Sequence, residues 1–177
     1  AKDLDAEVQL LWPLLSVVVV TYNNLELNRL CIDSLLQSTD YPNFEVLIVD
    51  NASSDGTREF LQSIEDSRVH VKLNPDNLGF AAANNQGVMM SSGTYICLLN
   101  NDTVVPAGSL SQMCAYLSVD RELGLIGPVT NAIGNEARIP VRYSNLDALK
   151  SWSIHIREEN WREMSEISML AFFCVMF

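Results

Sequence analysis

The chain has 177 residues, of which 48% are hydrophobic, and its mean hydropathy is +0.10. This composition predicts one folded domain with a full hydrophobic core and excludes a largely disordered protein. The net charge of −11, from 11 basic and 22 acidic residues, argues against a basic surface for a nucleic-acid partner. A small phosphorylated ligand stays compatible with this charge if a metal or backbone amides bind its phosphates.

Strand and helix patterns alternate along most of the chain. Continuous apolar runs predict four buried strands, at 14–21, 44–50, 68–73 and 94–99. Apolar residues at helical spacing predict a helix after each strand, namely between 24 and 41 and at 57–64, 80–90 and 106–119. Beyond these, we predict a short strand at 123–129, an irregular loop at 131–145, a helix at 147–166 and a strand at 168–177.

This order of elements predicts an α/β fold in a single domain covering residues 1–177. The expected architecture is a Rossmann-like, doubly wound and mainly parallel sheet with helices on both faces. Such sheets bind ligands beyond the carboxyl ends of their strands. All four predicted strand ends are polar, although the strands are apolar: Thr21-Tyr22-Asn23, Asp50-Asn51, Asn74 to Asn77, and Asn100-Asn101-Asp102.

The cysteines and the apolar runs indicate a cellular location. Cys31, Cys97, Cys114 and Cys174 form no C-x-x-C pair, and we expect buried free thiols rather than two disulfide bridges. The N-terminal sequence AKDLDAEVQL lacks the basic leader of a signal peptide. The longest apolar runs have seven and nine residues, whereas a membrane helix needs ~20. We therefore expect a cytoplasmic protein without a membrane segment, which could lie at the inner face of the cell membrane.

Several common site types lack their sequence signals. No glycine lies between Val20 and Ser53, so the glycine-rich turn that binds a dinucleotide is missing, and there is no P-loop motif. His70 and His155 lie outside any nucleophile-elbow sequence, and no His/Cys spacing suits zinc.

Two acids, Asp50 and Asp102, stand at predicted strand ends. Carboxylate oxygens suit Mg²⁺ or Mn²⁺, which the protein and the phosphates of a substrate can hold together. An acid at a strand end can also form a turn or cap a helix, as we expect for Asp55 before Gly56. From spacing alone, both roles stay open for Asp102.

Four segments resemble the successive signature segments of family 2 glycosyltransferases: SVVVVTYNN (16–24), VLIVDNASSDGT (46–57), NLGFAAANNQG (77–87) and YICLLNNDTVV (95–105). The resemblance implies a GT-A fold and transfer, with inversion, of a sugar from a UDP- or dTDP-sugar to a saccharide or lipid-linked acceptor. The NLGFAAANN and LLNNDT forms are most similar to the bacterial branch that includes rhamnosyltransferases and other cell-surface polysaccharide enzymes.

The resemblance also implies roles for individual residues. Asp50 would accept a hydrogen bond from the ring N–H of uracil or thymine, and Asp102 would coordinate Mg²⁺ or Mn²⁺ between the two phosphates. Asn100 stands where many members carry a further acid, so a weaker metal site is expected. The nucleotide-binding positions besides Asp50 are Thr21, Tyr22, Asn77, Gly79, Phe80, Asn84, Asn100 and Asn101.

The catalytic base of this family lies beyond a strand such as MLAFFCVMF. The chain stops at Phe177, so we identify no catalytic residue within it and expect a donor-binding part that is inactive without its acceptor part. The acids within 158–166 are expected to be solvated, and Trp152 and Trp161 are expected to pack rather than to stack on a sugar. The terminal apolar strand predicts self-association.

Two alternatives stay open at this point. A glycosyltransferase-like domain could bind a nucleotide without turnover, which the absence of the base favours. A sugar-nucleotide nucleotidyltransferase shares this kind of sheet, but it needs a glycine-rich and basic loop after the first strand, and TYNNLELNR carries only Arg29.

Overall fold

A five-stranded sheet forms the centre of the structure, a computed structural model that describes residues 12–160 and 163–177. In chain order the strands are β1 (Leu15–Thr21), β2 (Phe44–Asp50), β3 (Val69–Leu73), β4 (Tyr95–Asn100) and β5 (Cys174–Met176). Across the sheet the order is β3-β2-β1-β4-β5. The first four strands are parallel and β5 is antiparallel to β4, which confirms the predicted mainly parallel α/β sheet.

The central position of β1 brings the polar strand ends together. Thr21 at the end of β1 pairs with Asp50 at the end of β2. On the other side, Val20 pairs with Asn100 at the end of β4. Because these strands are parallel and in register, the residues that follow them emerge at one edge of the sheet.

Helices cover both faces of the sheet. In chain order those of the described residues are α1 (Leu25–Ser38), α2 (Thr57–Gln62), α3 (Phe80–Met90), α4 (Ser109–Val119) and α5 (Leu146–Glu159). Buried residues of α1 and α4 form the main core with Val17 and Val19, whereas α3 lies against the opposite face, where Gly87 meets Val18. None of these helices is long and apolar enough to span a membrane.

Gly87 allows α3 to approach β1 closely. A Cβ atom at this position would lie 2.2 Å from Cγ1 of Val18, which is fully buried in the central strand. We expect Gly87→Ala to lower the free energy of unfolding by about 1–3 kcal/mol, because this overpacking outweighs the gain of about 1 kcal/mol in helix propensity. Urea denaturation measures the change. Gly124→Ala is the control, because its Cβ would meet no atom within 4 Å, and it should leave the urea concentration at the unfolding midpoint unchanged. If Gly87→Ala also left this midpoint unchanged, the close approach of α3 to β1 would be contradicted.

The C-terminal strands are shorter than predicted. The predicted strand at 123–129 is wrong, because only Ile126 pairs there, as an isolated antiparallel bridge to Met176. Glycine residues and a proline flank Ile126 and prevent a longer ladder. The predicted strand at 168–177 is reduced to Cys174–Met176, whose three residues are buried against β4.

The predicted helix at 147–166 also ends early, since α5 stops at Glu159. At this end the carbonyl oxygen of Ile156 accepts from the backbone N–H of Asn160 at 3.0 Å and from the side-chain amide of Asn160 at 2.7 Å. Trp152 packs against Tyr143, with ring centroids 5.4 Å apart, and Trp161 lies outside the described residues.

The four cysteines are buried free thiols, as predicted. Burial raises the pKa of the Cys31 thiol to about 12. Burial likewise raises the pKa of the Cys114 thiol to about 12. Both thiols are therefore protonated at neutral pH and serve as small apolar groups of the core.

Candidate functional site

Two asparagines shape the turn between β1 and α1. Asn23 and Asn24 both have left-handed backbone conformations, with φ of 55° and 62°, which asparagine tolerates better than most residues. The backbone N–H of Asn23 donates to the hydroxyl of Ser53 at 2.7 Å, and its side-chain oxygen accepts from the N–H of Ser54 at 2.8 Å. The turn that follows β2 therefore holds this glycine-free turn in place.

Asp50 joins the ends of β1 and β2 from inside the protein. Its carboxylate accepts hydrogen bonds from the Thr21 hydroxyl at 3.0 Å, the Ser53 hydroxyl at 2.5 Å and the Ser53 N–H at 3.0 Å. The guanidinium group of Arg58 lies 3.9 Å away and offsets the negative charge. Thr21 and Asp50 are both fully buried, so the structure places these two predicted site residues beneath the strand ends, with their polar atoms paired inside the protein.

A cavity of about 360 Å³ lies at the polar edge of the sheet. Six of the residues predicted for the site line it: Tyr22, Asn77, Gly79, Phe80, Asn100 and Asn101. The cavity is also lined by three residues to which the sequence analysis assigned no role: Val20, Asn24 and Asn51.

The cavity wall combines exposed aromatic rings with amide groups. Tyr22 and Phe80 are 49% and 54% exposed, so both rings are accessible to a ligand in the cavity. Flat rings of this kind bind the faces of bases and sugars, and amides beside them donate and accept hydrogen bonds. The wall is therefore suited to a ligand with both a planar or apolar face and many polar groups.

Asn51 fixes the loop that leads into α3. Its side-chain nitrogen donates to Oδ1 of Asn77 at 2.7 Å, and its side-chain oxygen accepts from the N–H of Leu78 at 2.9 Å. Asn77 in turn accepts from the N–H of Gly79 at 2.9 Å, and Gly79 has a φ of 81°, which favours glycine. Asn51 is only 2% exposed, so it acts mainly by holding this loop against the end of β2.

Asn84, which was predicted to bind the nucleotide, does not line the cavity and instead makes a hydrogen bond within α3. It is 7% exposed, and its side-chain nitrogen donates to the carbonyl oxygen of Phe80 at 2.9 Å. This bond lies within the first turns of α3, where Asn84 supports the segment that carries the exposed Phe80 ring.

Asp102 follows the two lining residues Asn100 and Asn101 and is exposed to solvent. Within the described ranges, no three His, Cys, Asp or Glu side chains are placed to hold a metal by themselves. One carboxylate with amide oxygens beside it fits Mg²⁺ or Mn²⁺ when phosphate oxygens and water complete the coordination. The residues present therefore fit a divalent cation that is held jointly with a bound phosphate group.

Comparison with known proteins shows the family. The sequence model of "Glycosyl transferase family 2" matches residues 16–177. The chain is 37% identical over 92 residues to TuaG of Bacillus subtilis, which is named as a teichuronic acid biosynthesis glycosyltransferase; the match covers 51% of this chain and 36% of TuaG. It is 32% identical over 104 residues to WfgD of Escherichia coli, a UDP-Glc:alpha-D-GlcNAc-diphosphoundecaprenol beta-1,3-glucosyltransferase, with 59% of this chain and 41% of WfgD covered.

Comparison with a solved structure supports the same fold. The mannosyltransferase PcManGT from Pyrobaculum calidifontis, in complex with GDP-Man and Mn²⁺, superposes with a TM-score of 0.60 at 28% identity. The match covers 66% of this chain and 35% of PcManGT, so the chain spans less than half of each of these three proteins. The implied GT-A fold is confirmed, and the chain belongs to glycosyl transferase family 2.

Proposed function

We propose that this domain binds a nucleotide-diphosphate sugar, with UDP- or dTDP-sugars as the expected donors, and contributes the donor site for transfer of the sugar with inversion to a saccharide or lipid-linked acceptor. The observation that carries this proposal is the cavity, because six predicted donor-site residues from separate segments of the chain line it together. Family membership supports the reaction class.

The position of each lining group suggests how the donor would lie. The exposed rings of Tyr22 and Phe80 would contact the flat or apolar faces of the nucleotide and sugar. Asn77 and Asn100 would form hydrogen bonds with hydroxyl groups, and Gly79 allows the ligand to approach the backbone closely. Thr21 and Asp50 would shape the base end of the site from below, through the strand ends that they join.

We further propose that Asp102 holds Mg²⁺ or Mn²⁺ at the diphosphate, with Asn100 or Asn101 as an oxygen donor. A divalent cation held there would supply Lewis-acid stabilisation of the charge that develops on the leaving diphosphate. The similar PcManGT was solved with Mn²⁺. The chain's own contribution is to orient the phosphates and to keep the anomeric carbon open to an acceptor hydroxyl.

The residues that line the cavity are amide, aromatic and aliphatic, so we propose no catalytic base among them. A base must take the proton of the acceptor hydroxyl. This composition of the lining also favours the second candidate function, a domain that binds the donor without turnover. We also propose that the chain self-associates through its C-terminal segment, because Met169 and Phe172 are 64% and 53% exposed there.

Calorimetric titration with UDP, dTDP and GDP, each with and without Mn²⁺, tests the donor assignment. We expect UDP or dTDP to bind more tightly than GDP, and Mn²⁺ to strengthen binding at least tenfold, which corresponds to about 1.4 kcal/mol. ATP, which is a triphosphate with a purine base, serves as the control ligand. Equal binding of all four nucleotides, or none, would contradict a donor site, and preferential binding of GDP would reassign the base. Release of the sugar from a bound donor with an added acceptor would distinguish turnover from binding alone.

A further inference from the structure

Asn28 is a fully buried polar residue on α1 that connects three of the loops at the polar edge of the sheet. Its side-chain nitrogen donates to the backbone carbonyl oxygen of Asn23 at 2.8 Å and to the hydroxyl oxygen of Thr57 at 3.0 Å. Its side-chain oxygen accepts from the side-chain nitrogen of Asn101 at 2.6 Å. These contacts join the segments that follow β1, β2 and β4.

The orientation of each amide in this network follows from neighbouring groups that can only accept, or can only donate, a hydrogen bond towards it. The carbonyl oxygen of Asn23 can only accept, so the nitrogen of the Asn28 amide must face it. The Thr57 hydroxyl donates to the Asp55 carboxylate at 2.7 Å and is therefore an acceptor towards Asn28. The oxygen of Asn28 is left for Asn101, which must turn its nitrogen inward.

This inward turn determines which atom of Asn101 faces the cavity. Oδ1 of Asn101 accepts no hydrogen bond from any described residue, and Asn101 lines the cavity directly before Asp102. If the Asn101 amide were free to rotate by 180°, its nitrogen could face the cavity in place of its oxygen. An amide nitrogen binds neither a cation nor the hydrogen of a hydroxyl group.

We propose that Asn28 is a positioning residue, which holds the Asn101 amide with its oxygen towards the nucleotide and its divalent cation. This inference rests on the proposed function of the cavity. Asn28 itself contacts no ligand, since it is fully buried. It acts through Asn101, as residues behind a metal ligand do when they fix the orientation of that ligand.

The test measures nucleotide affinity with and without Mn²⁺ for the full chain, by calorimetry with UDP, dTDP and GDP. Asn28→Ala should weaken Mn²⁺-dependent binding about tenfold, the usual effect of losing such a supporting contact, and should leave Mn²⁺-free binding within twofold. Thermal denaturation of each variant without ligand measures the accompanying loss of stability separately.

Ser34→Ala is the matched control on the same helix. Ser34 is also buried, and its hydroxyl oxygen accepts from the N–H of Val105 at 3.0 Å, in the same loop that follows β4. Its loss should lower the melting temperature by about 2–4 °C, without a change in the Mn²⁺ dependence. An effect of Ser34→Ala on Mn²⁺ dependence as large as that of Asn28→Ala would show a general effect of loosening the loop and overturn the proposal.

Asn101→Ala gives a second test, because it removes the cavity-lining amide itself. It also leaves the buried oxygen of Asn28 without its donor, and thermal denaturation measures that structural cost separately. It should reduce Mn²⁺-dependent affinity as much as Asn28→Ala does, and the double variant should be no weaker than Asn101→Ala alone. Additive losses, or unchanged affinity in either single variant, would overturn the positioning role while the unmodified chain still binds. If the unmodified chain itself shows no Mn²⁺-dependent binding, the proposed function fails, and this inference fails with it.

Discussion

Asp102→Ala should abolish the Mn²⁺-dependent part of nucleotide binding while the fold stays intact. Asp102 is exposed and accepts no hydrogen bond from the described residues, so its removal should change the free energy of unfolding by less than about 0.5 kcal/mol. Loss of a charged contact to the metal–diphosphate unit should cost about 2–3 kcal/mol of binding free energy, or about 100-fold in affinity. Calorimetric titration with and without Mn²⁺ measures this loss.

The same titration tests the order of binding. Because Asp102 is the one acid beside the cavity-lining asparagines in the stretch 100–102, Mn²⁺ alone should bind weakly, and it should bind measurably only after the nucleotide supplies its phosphate oxygens. Asp76→Ala is the control, since it removes an exposed acid from the loop before α3 and should keep the Mn²⁺ dependence. Tight binding of Mn²⁺ without nucleotide, or an effect of Asp76→Ala equal to that of Asp102→Ala, would contradict the assignment.

Asp50→Ala should destabilise the domain by about 3 kcal/mol or more, because it leaves buried hydrogen-bond donors without a partner. The carboxylate accepts hydrogen bonds from the hydroxyl groups of Thr21 and Ser53 and from the Ser53 N–H, and both of these residues are buried, as is Asp50. Asp50→Asn keeps the shape and one acceptor oxygen, so we expect a loss of about half that size. Urea denaturation compares both variants with Asp33→Ala, an exposed change on α1 that should have little effect.

The Asp50→Asn variant also separates two roles of this carboxylate. If Asp50 binds the ring N–H of a pyrimidine in a rearranged, ligand-bound state, the variant should lose affinity for UDP but not for GDP. If it only joins the strand ends, affinities for both nucleotides should fall in parallel. The burial of Asp50 in this structure favours the second result.

The strands that position the site could be predicted because each is recognisable from a short stretch of consecutive residues. Leu15–Thr21 and Phe44–Asp50 are short apolar runs, and each ends at a polar residue. A parallel sheet then brings such ends to one edge, whatever the lengths of the intervening helices. This reasoning correctly grouped residues as distant in sequence as Tyr22 and Asn101.

The supporting residues could not be predicted in the same way, because their roles depend on partners far along the chain. Asn51 follows a strand and resembles an ordinary turn residue, yet its side chain holds residue Asn77, 26 positions later. Asn28 lies within a helix, and its partner Asn101 is 73 positions away. The resemblance placed Asp50 and Asn84 at the nucleotide, but only the structure shows how their polar atoms are paired.

The C-terminal part shows a different limit. At 123–129 the apolar residues fit a strand, but a strand also needs a neighbour along its whole length, and Met176 offers a partner to Ile126 alone. At the end of α5 the side chain of Asn160 bonds back to the helix, a contact that the spacing of apolar residues does not indicate. Periodicity indicates the type of an element better than its length in both places.

The glycine-free turn at Asn23 and Asn24 has a consequence for the entropy of ligand binding. In the unfolded chain an asparagine samples fewer backbone conformations than a glycine, so less conformational entropy is lost when this turn forms. That loss occurs during folding, because the bonds to Ser53 and Ser54 already hold the turn. A ligand that enters beside Asn24 therefore meets a wall that is already ordered, and its binding free energy is not reduced by the cost of freezing this part of the chain.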